Sequence, residues 1–199
     1  ATECTNCVTT PVHTLGQIEL NRVDTTKQSR LWNELIERYH YLGYKPLPGA
    51  QIRYLIENNK DTIAAIGFGA AAWTVAPRDQ WIGWNDRQRK QNLHLVVNNA
   101  RFLILPWVKS KNLASKILAS AAKRLPKDWE KKYSYKPVLL ETFVQKNKFN
   151  GTCYRAANWL KLGETKGRGK LDVKNEYKLP IKSIYVYSLH KHACQLLRS

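Results

Sequence analysis

Asn99-Ala-Arg-Phe-Leu-Ile-Leu-Pro106, Asn112-Leu-Ala-Ser-Lys-Ile-Leu-Ala-Ser-Ala-Ala-Lys-Arg-Leu125, Pro137-Val-Leu-Leu-Glu-Thr-Phe-Val144 and Gly151-Thr-Cys-Tyr-Arg-Ala-Ala-Asn-Trp-Leu-Lys-Leu-Gly-Glu-Thr165 follow one another as a single unit. The first is an apolar run of strand length stopped by proline. In the second, Leu113, Ile117, Leu118, Ala121 and Leu125 recur at helical spacing behind Asn112, an N-cap residue type. The third is another buried-strand pattern. A strand, a crossover helix and a second strand in one sheet place the two strands parallel. The fourth segment reads as a short helix and a closing strand.

Upstream, Gly16 to Val23 alternates as a strand, and Asp24-Thr-Thr caps a helix whose apolar positions are Leu31, Trp32, Leu35, Ile36 and Tyr39. Gln51 to Glu57, the turn Asn58-Asn-Lys-Asp61 and Thr62 to Gly69 form a hairpin. Its second strand has side chains so small that something bulky must lie across it, a helix or a ligand. Ser183 to Leu189 supplies a last strand. The expected organisation is a flexible arm over 1–15, one α/β domain over 16–189 with a mixed sheet flanked by helices, and a tail over 190–199.

Composition narrows the function. A hydrophobic fraction of 43% over 199 residues suits a globular domain with a sizeable core, and no apolar stretch is long enough to span a bilayer. The expected setting is cytoplasmic. With no methionine at all, the sequence is expected to lack its natural start. The net charge of +18 is unevenly placed: Lys and Arg against Asp and Glu number 11 and 9 in residues 1–100, but 22 and 6 in residues 101–199. Such a field attracts polyanions, so nucleic acid, and DNA first, is the expected partner. The candidate contacts are Arg87, Arg89 and Lys90 among tryptophans, Arg101, Lys146, Lys148 and Arg155 around the central unit, and Lys166, Arg168 and Lys170 in a glycine-rich loop.

Three residues carry the candidate chemistry. His40 lies in Tyr39-His-Tyr-Leu-Gly43, where a helix breaks into a loop crowded with aromatic side chains, placed to carry a proton or orient a base. Glu141 is an acid inside an apolar strand, so it is either paired, with Arg101, Arg155 or a lysine, or working as a base or ligand. Tyr154 lies near the end of the short helix in the fourth segment. His94, Asn98 and Asn99 stand near the strand edge beside them. Cys4-x-x-Cys7 is half a zinc site, and only His190, His192 and Cys194 could complete it. No acidic cluster for two magnesium ions, no Walker loop and no serine-hydrolase elbow is present.

Tyr39-His-Tyr-Leu-Gly43, Asn98 to Pro106, Leu140-Glu-Thr-Phe143 and Gly151 to Trp159 closely resemble the DruA-type family of the Druantia anti-phage defence system, whose relatives also travel with transposable elements. The order of elements is more remotely similar to the GCN5-related N-acetyltransferase fold. The first resemblance implies partners among other defence-system or mobile-element proteins. The second implies acetyl-coenzyme A as cofactor, a pyrophosphate-wrapping loop at Lys109, Lys111, Asn112 and Ala114, and Tyr154 as the group that protonates the departing thiolate. Asn112 and Asn158 stand where that fold has glycine, and asparagine is the non-glycine residue that best tolerates a left-handed backbone. The two readings are a DNA-binding defence component and a nucleic-acid-directed acyl-coenzyme A-dependent N-acyltransferase or base-modifying enzyme.

Overall fold

The computed structural model describes residues 7–167 and 179–199. Its strands are β1 (Ile18–Arg22), β2 (Ile52–Asn58), β3 (Asp61–Ala70), β4 (Val96–Ile104), β5 (Leu139–Gln145), β6 (Leu160–Glu164) and β7 (Lys182–Ser188). Between them run the helices α1 (Thr26–Tyr39), α2 (Ala76–Ile82), α3 (Asp86–Asn92), α4 (Leu113–Tyr133), α5 (Thr152–Ala156) and α6 (Ala193–Leu197). The strands form one sheet in the order β1-β2-β3-β4-β5-β7-β6. Every described pairing is antiparallel except β4 with β5, the pair joined through α4.

That parallel pair sets the geometry of the molecule. Its ladder holds only Val96 to Asn98 against Leu139 to Glu141, although β4 continues to Ile104 and β5 to Gln145. Past Asn98 the strands part. A bulge accompanies the split: Gly67 pairs with Arg101 and Phe68 with Asn99, leaving Ala100 as the extra residue.

The helices cover both faces. α1 is closed by a capping box in which Thr25 and Gln28 satisfy each other's amides, and it buries Trp32, Leu35 and Ile36. Trp32 explains the small side chains of β3. A Cβ on Gly67 would stand 2.8 Å from the Trp32 ring, so the bulky object across this strand is a helix. Arg53 turns to the same face, donating to Asn33 and Ser29 of α1. Tyr54 turns to the other and donates to Asp128 of α4 at 2.8 Å.

α4 runs to Tyr133, well beyond Leu125, with Pro126 inside it. An internal proline costs a helix about 3 kcal/mol. Here the continuation is held by Trp129, buried in contact with Tyr133 and Tyr135, and by Tyr133 Oη, which bonds both Gln51 N and Gln51 O.

Described residues of the stretches expected as a flexible arm and a tail make contacts with the domain. Val8 bridges Val108, donating to Trp107 O and accepting from Lys109 N, and Leu15 is buried. At the other end α6 packs Ala193 and Leu197 into a second core with Ile82, Trp84, Val96, Leu139 and Val186. Asn92 clamps it by donating to the Leu197 and Ser199 carbonyls. No helix among the described residues is long and apolar enough to cross a membrane.

Candidate active-site cleft

Where β4 and β5 separate, a cavity of about 600 Å3 opens. Its walls are Asn99, Phe102 and Ile104 from β4 and Thr142, Phe143 and Val144 from β5. Tyr39 to Leu42 close it from the end of α1, Gly151 to Tyr154 from α5, and Ala114 from the first turn of α4. The cleft thus passes through the sheet, with α1 on one side and α4 and α5 on the other.

Asn99 is its polar hub. Buried beside the bulge, its Nδ2 donates to the Gly67 and Arg101 carbonyls. Its own carbonyl accepts from Thr142 Oγ1 at 3.0 Å, a link across the split, and its Oδ1 accepts from Tyr154 Oη at 2.8 Å. Burial pushes the Tyr154 phenol well above its ordinary range, so it stays protonated and can supply a proton but not take one. The ring is fixed by Tyr185, stacked at 5.7 Å, and by Trp159 and Phe102 edge-on.

His40 lines the same cleft. Its Nδ1 accepts the amide of Leu42 at 3.2 Å. Burial first, and the Arg101 charge second, lower its pKa to about 4, so the ring is neutral near pH 7. A neutral imidazole whose Nδ1 accepts carries its proton on Nε2. His40 therefore offers the cleft a hydrogen-bond donor.

Glu141 is not in the cleft. Strand alternation turns it to the face opposite Thr142, where it is fully buried against Arg78. Glu141 Oε2 lies 2.7 Å from Arg78 Nη1, and Oε1 accepts the Ala72 amide at 2.8 Å. Burial pushes the carboxyl up, and Arg78 and the Ala72 amide oppose that. The contact to a guanidinium that does not deprotonate keeps the pair ionic. Arg78 also holds Asp79 and the Ala72 carbonyl. The expected partners Arg101 and Arg155 are elsewhere, so Glu141 is corrected from catalytic candidate to one end of a buried clasp between α2 and β5. Arg78 reads in the sequence as one of the arginines among tryptophans that suit a binding surface, and its pairing with Glu141 left no local signal.

The loop before α4 keeps part of the expected cradle. Asn112 has φ 65° and Asn158 φ 63°, so both asparagines adopt the left-handed backbone. Asn112 does occupy the N-cap position, but its side chain makes no capping bond. Lys109, Lys111 and Asn112 are exposed and Ala114 faces the cleft. Ser110 Oγ is buried with no partner among the described residues. The Lys109 amide is taken by Val8 O. Trp107 packs edge-on against Tyr39 at 5.2 Å and does not line the cavity.

The basic candidates scatter. Arg87, Arg89 and Lys90 belong to α3, which does not line the cleft, and Arg89 pairs with Asp86 at 3.0 Å under Trp73. Lys146 pairs with Glu164, and Arg155 donates to the Asn150 carbonyl. Lys148 sits over the Tyr41 ring at 5.3 Å, and Lys166 is exposed. Arg168 and Lys170 lie outside the described residues, as does Cys4. No group of His, Cys, Asp and Glu suited to a metal occurs among the described residues. His94 packs on Tyr135, and Asn98 Oδ1 is buried without a partner among the described residues.

The backbone is similar to those of acetyltransferases. A polyamine N-acetyltransferase of Drosophila melanogaster superposes with TM-score 0.53 at 12% identity, covering 86% of this chain and 100% of the other. An aminoglycoside acetyltransferase solved with coenzyme A gives 0.53 at 15% identity, over 91% and 100%. The ribosomal-protein-S18-alanine N-acetyltransferase of Escherichia coli gives 0.51 at 8%, over 87% and 94%. At these identities the likeness establishes a GCN5-related N-acetyltransferase-type fold. No curated protein sequence matches the chain. The model of one family does, across residues 4–193, and the chain therefore belongs to the family described as Druantia protein DruA.

Proposed function

We propose that this protein is the component of an anti-phage defence system that acts on nucleic acid through the cleft between β4 and β5, as an N-acyltransferase using an acyl-coenzyme A. The observation that carries the reading is the split itself: a parallel pair that stops after three rungs opens onto both helical layers, with the first turn of α4 on one side and the aromatic end of α1 on the other. Family membership supports the defence role, and the charge of +18 supports a polyanionic target.

The residues present fit such a cofactor. The left-handed Asn112, the unpartnered Ser110 hydroxyl, and the Lys109 and Lys111 charges gather at the positive end of a 21-residue helix, an arrangement that suits phosphate. When bound, acyl-coenzyme A supplies an acyl group already activated as a thioester. Tyr154 holds a proton on its phenol at the cleft wall for a leaving group. His40 presents Nε2–H as a donor to an acyl or base carbonyl. Glu141 only secures the strand that bears Thr142 and Phe143.

Calorimetric titration with coenzyme A and acetyl-coenzyme A, beside a salt series of DNA binding, tests this. Micromolar coenzyme binding with steep salt dependence on DNA is the expected result. DNA binding with no coenzyme binding would leave a binding module on a repurposed scaffold, and loss of both would end the proposal.

A further inference from the structure

The mouth of the cleft on the α1 side holds charge that no acid among the described residues neutralises. Elsewhere its sheltered arginines have acceptors: Arg78 has Glu141 and Asp79, Arg53 has Asn33 and Ser29, and Arg89 has Asp86. Arg101 is half-buried and makes no ion pair among the described residues. Its Nη1 reaches only the carbonyl of Ala100, and its Nε is buried without a partner. A sheltered guanidinium with so few acceptors is costly unless an anion completes it.

The surroundings specify which anion. Arg101 pairs with Gly67 beneath Trp32, so its side chain leaves the sheet on the face that carries α1. Across the split, Glu141 pairs with Asn98 and Asn98 with Gly69, two residues from Gly67, so Glu141 shares the Arg101 face, and alternation carries that face to Gln145 and its partner Lys182. Lys182 is half-buried and also has no ion pair among the described residues. The Arg101 charge reaches far enough to lower the pKa of Lys182 and His40 further, beyond the effect of burial. Two cations on one face, with no acid between them among the described residues, leave room for a doubly charged group. Beside them stands an aromatic platform: Tyr41 packs against His40 at 4.8 Å and Phe149 at 5.2 Å, and Lys148 covers its ring at 5.3 Å. Phe149 is 49% exposed, an apolar ring open to solvent at the cleft rim.

We propose that Arg101, Lys182 and Lys148 form a phosphate subsite for a nucleotide acceptor, with Tyr41 and Phe149 as the rings on which its base stacks. Phosphate neutralised by Arg and Lys beside stacked aromatics is how single-stranded nucleic acid is held. The site deepens the proposed function by naming the substrate class. It lies on the face opposite the α4 helix start, so it is separate from the coenzyme subsite.

The test is calorimetric titration of the whole chain with deoxyadenosine 5′-monophosphate, deoxyadenosine, coenzyme A and an oligoglutamate peptide. The variants are Arg101→Gln, Lys182→Gln, the double variant and Tyr41→Ala, each first matched to the parent in melting temperature; Lys148→Gln, on an exposed side chain, is the variant least able to disturb the fold. The mononucleotide is expected to bind more tightly than the nucleoside and to lose about tenfold for each cation removed, the size of a lost charge-assisted contact. Tyr41→Ala weakens both ligands, and coenzyme A binding is unchanged in every variant. Equal binding of nucleoside and nucleotide, retention of nucleotide affinity in the double variant, or oligoglutamate binding as well as nucleotide would overturn the subsite. Nucleotide binding without coenzyme binding would instead remove the acyltransferase reading and leave the subsite standing.

Discussion

Replacing Glu141 by glutamine separates a structural acid from a catalytic one. The side chain is fully buried, keeps an acceptor for the Ala72 amide as glutamine, but turns an amide group toward Arg78 and removes the charge that faces it at 2.7 Å. Breaking a buried ion pair costs about 3–5 kcal/mol. The lower end applies here, about 3 kcal/mol, because Arg78 retains Asp79, also at 2.7 Å. For a chain of this size that loss lowers the melting temperature by roughly 6–12 °C. Urea denaturation of Glu141→Gln, Arg78→Met and the double variant gives the coupling. The double variant is expected to cost less than the sum of the singles, since it leaves neither charge of the pair buried without the other. Ligand affinity at the cleft, measured below the transition, is expected to stay near parental. A loss under about 1 kcal/mol together with abolished activity would refute the clasp and return Glu141 to the reaction.

Gly67→Ala drives a Cβ to 2.8 Å from the Trp32 ring and is expected to cost about 1–3 kcal/mol, read by denaturant midpoint; Trp32→Leu should relieve part of it. The His40 imidazole, followed by NMR, is expected to titrate near pH 4 with its proton on Nε2 above that. Because the folded value lies below the ordinary 6.5, the unfolded chain takes up the proton first, so this group's contribution to stability falls as pH drops from about 6.5 toward 4. A titration midpoint near 6.5 would show the ring to be solvated. Asn112→Ala and Asn158→Ala are each expected to destabilise by about 1 kcal/mol and the glycine variants to be near neutral, by thermal melts, since only the backbone handedness is at stake.

The central unit was legible because a parallel strand pair with a crossover helix leaves a local signature: two apolar runs, a 3.6-residue period and a capping residue. The left-handed asparagines were legible only through the resemblance to a fold that has glycine at both places, a backbone requirement that acts on one residue. What failed depends on partners distant in sequence. Pro126 marked an end to α4 that packing of Trp129 overrides. Glu141 was readable as an acid that needs company, but its partner is 63 residues away in a segment whose tryptophans and arginines suggested a binding surface. The tail held no strong period, and only Ile82, Trp84 and Leu139 make a helix of it. In the cleft, Tyr154 and His40 were named from sequence, whereas Lys182 stood at the end of a basic stretch and gave no sign of pairing with Gln145 across from β4.

Three rungs between β4 and β5 also make a mechanical seam. On one side lie four strands, on the other three, each set internally paired along most of its length. Force or thermal motion that separates the two has few hydrogen bonds to break, and the Thr142–Asn99 link is one of them. A molecule seated in the gap touches both walls and acts as a rivet. Occupancy of the cleft should then slow exchange of backbone amides on both sides of the seam together, far from any atom the ligand contacts.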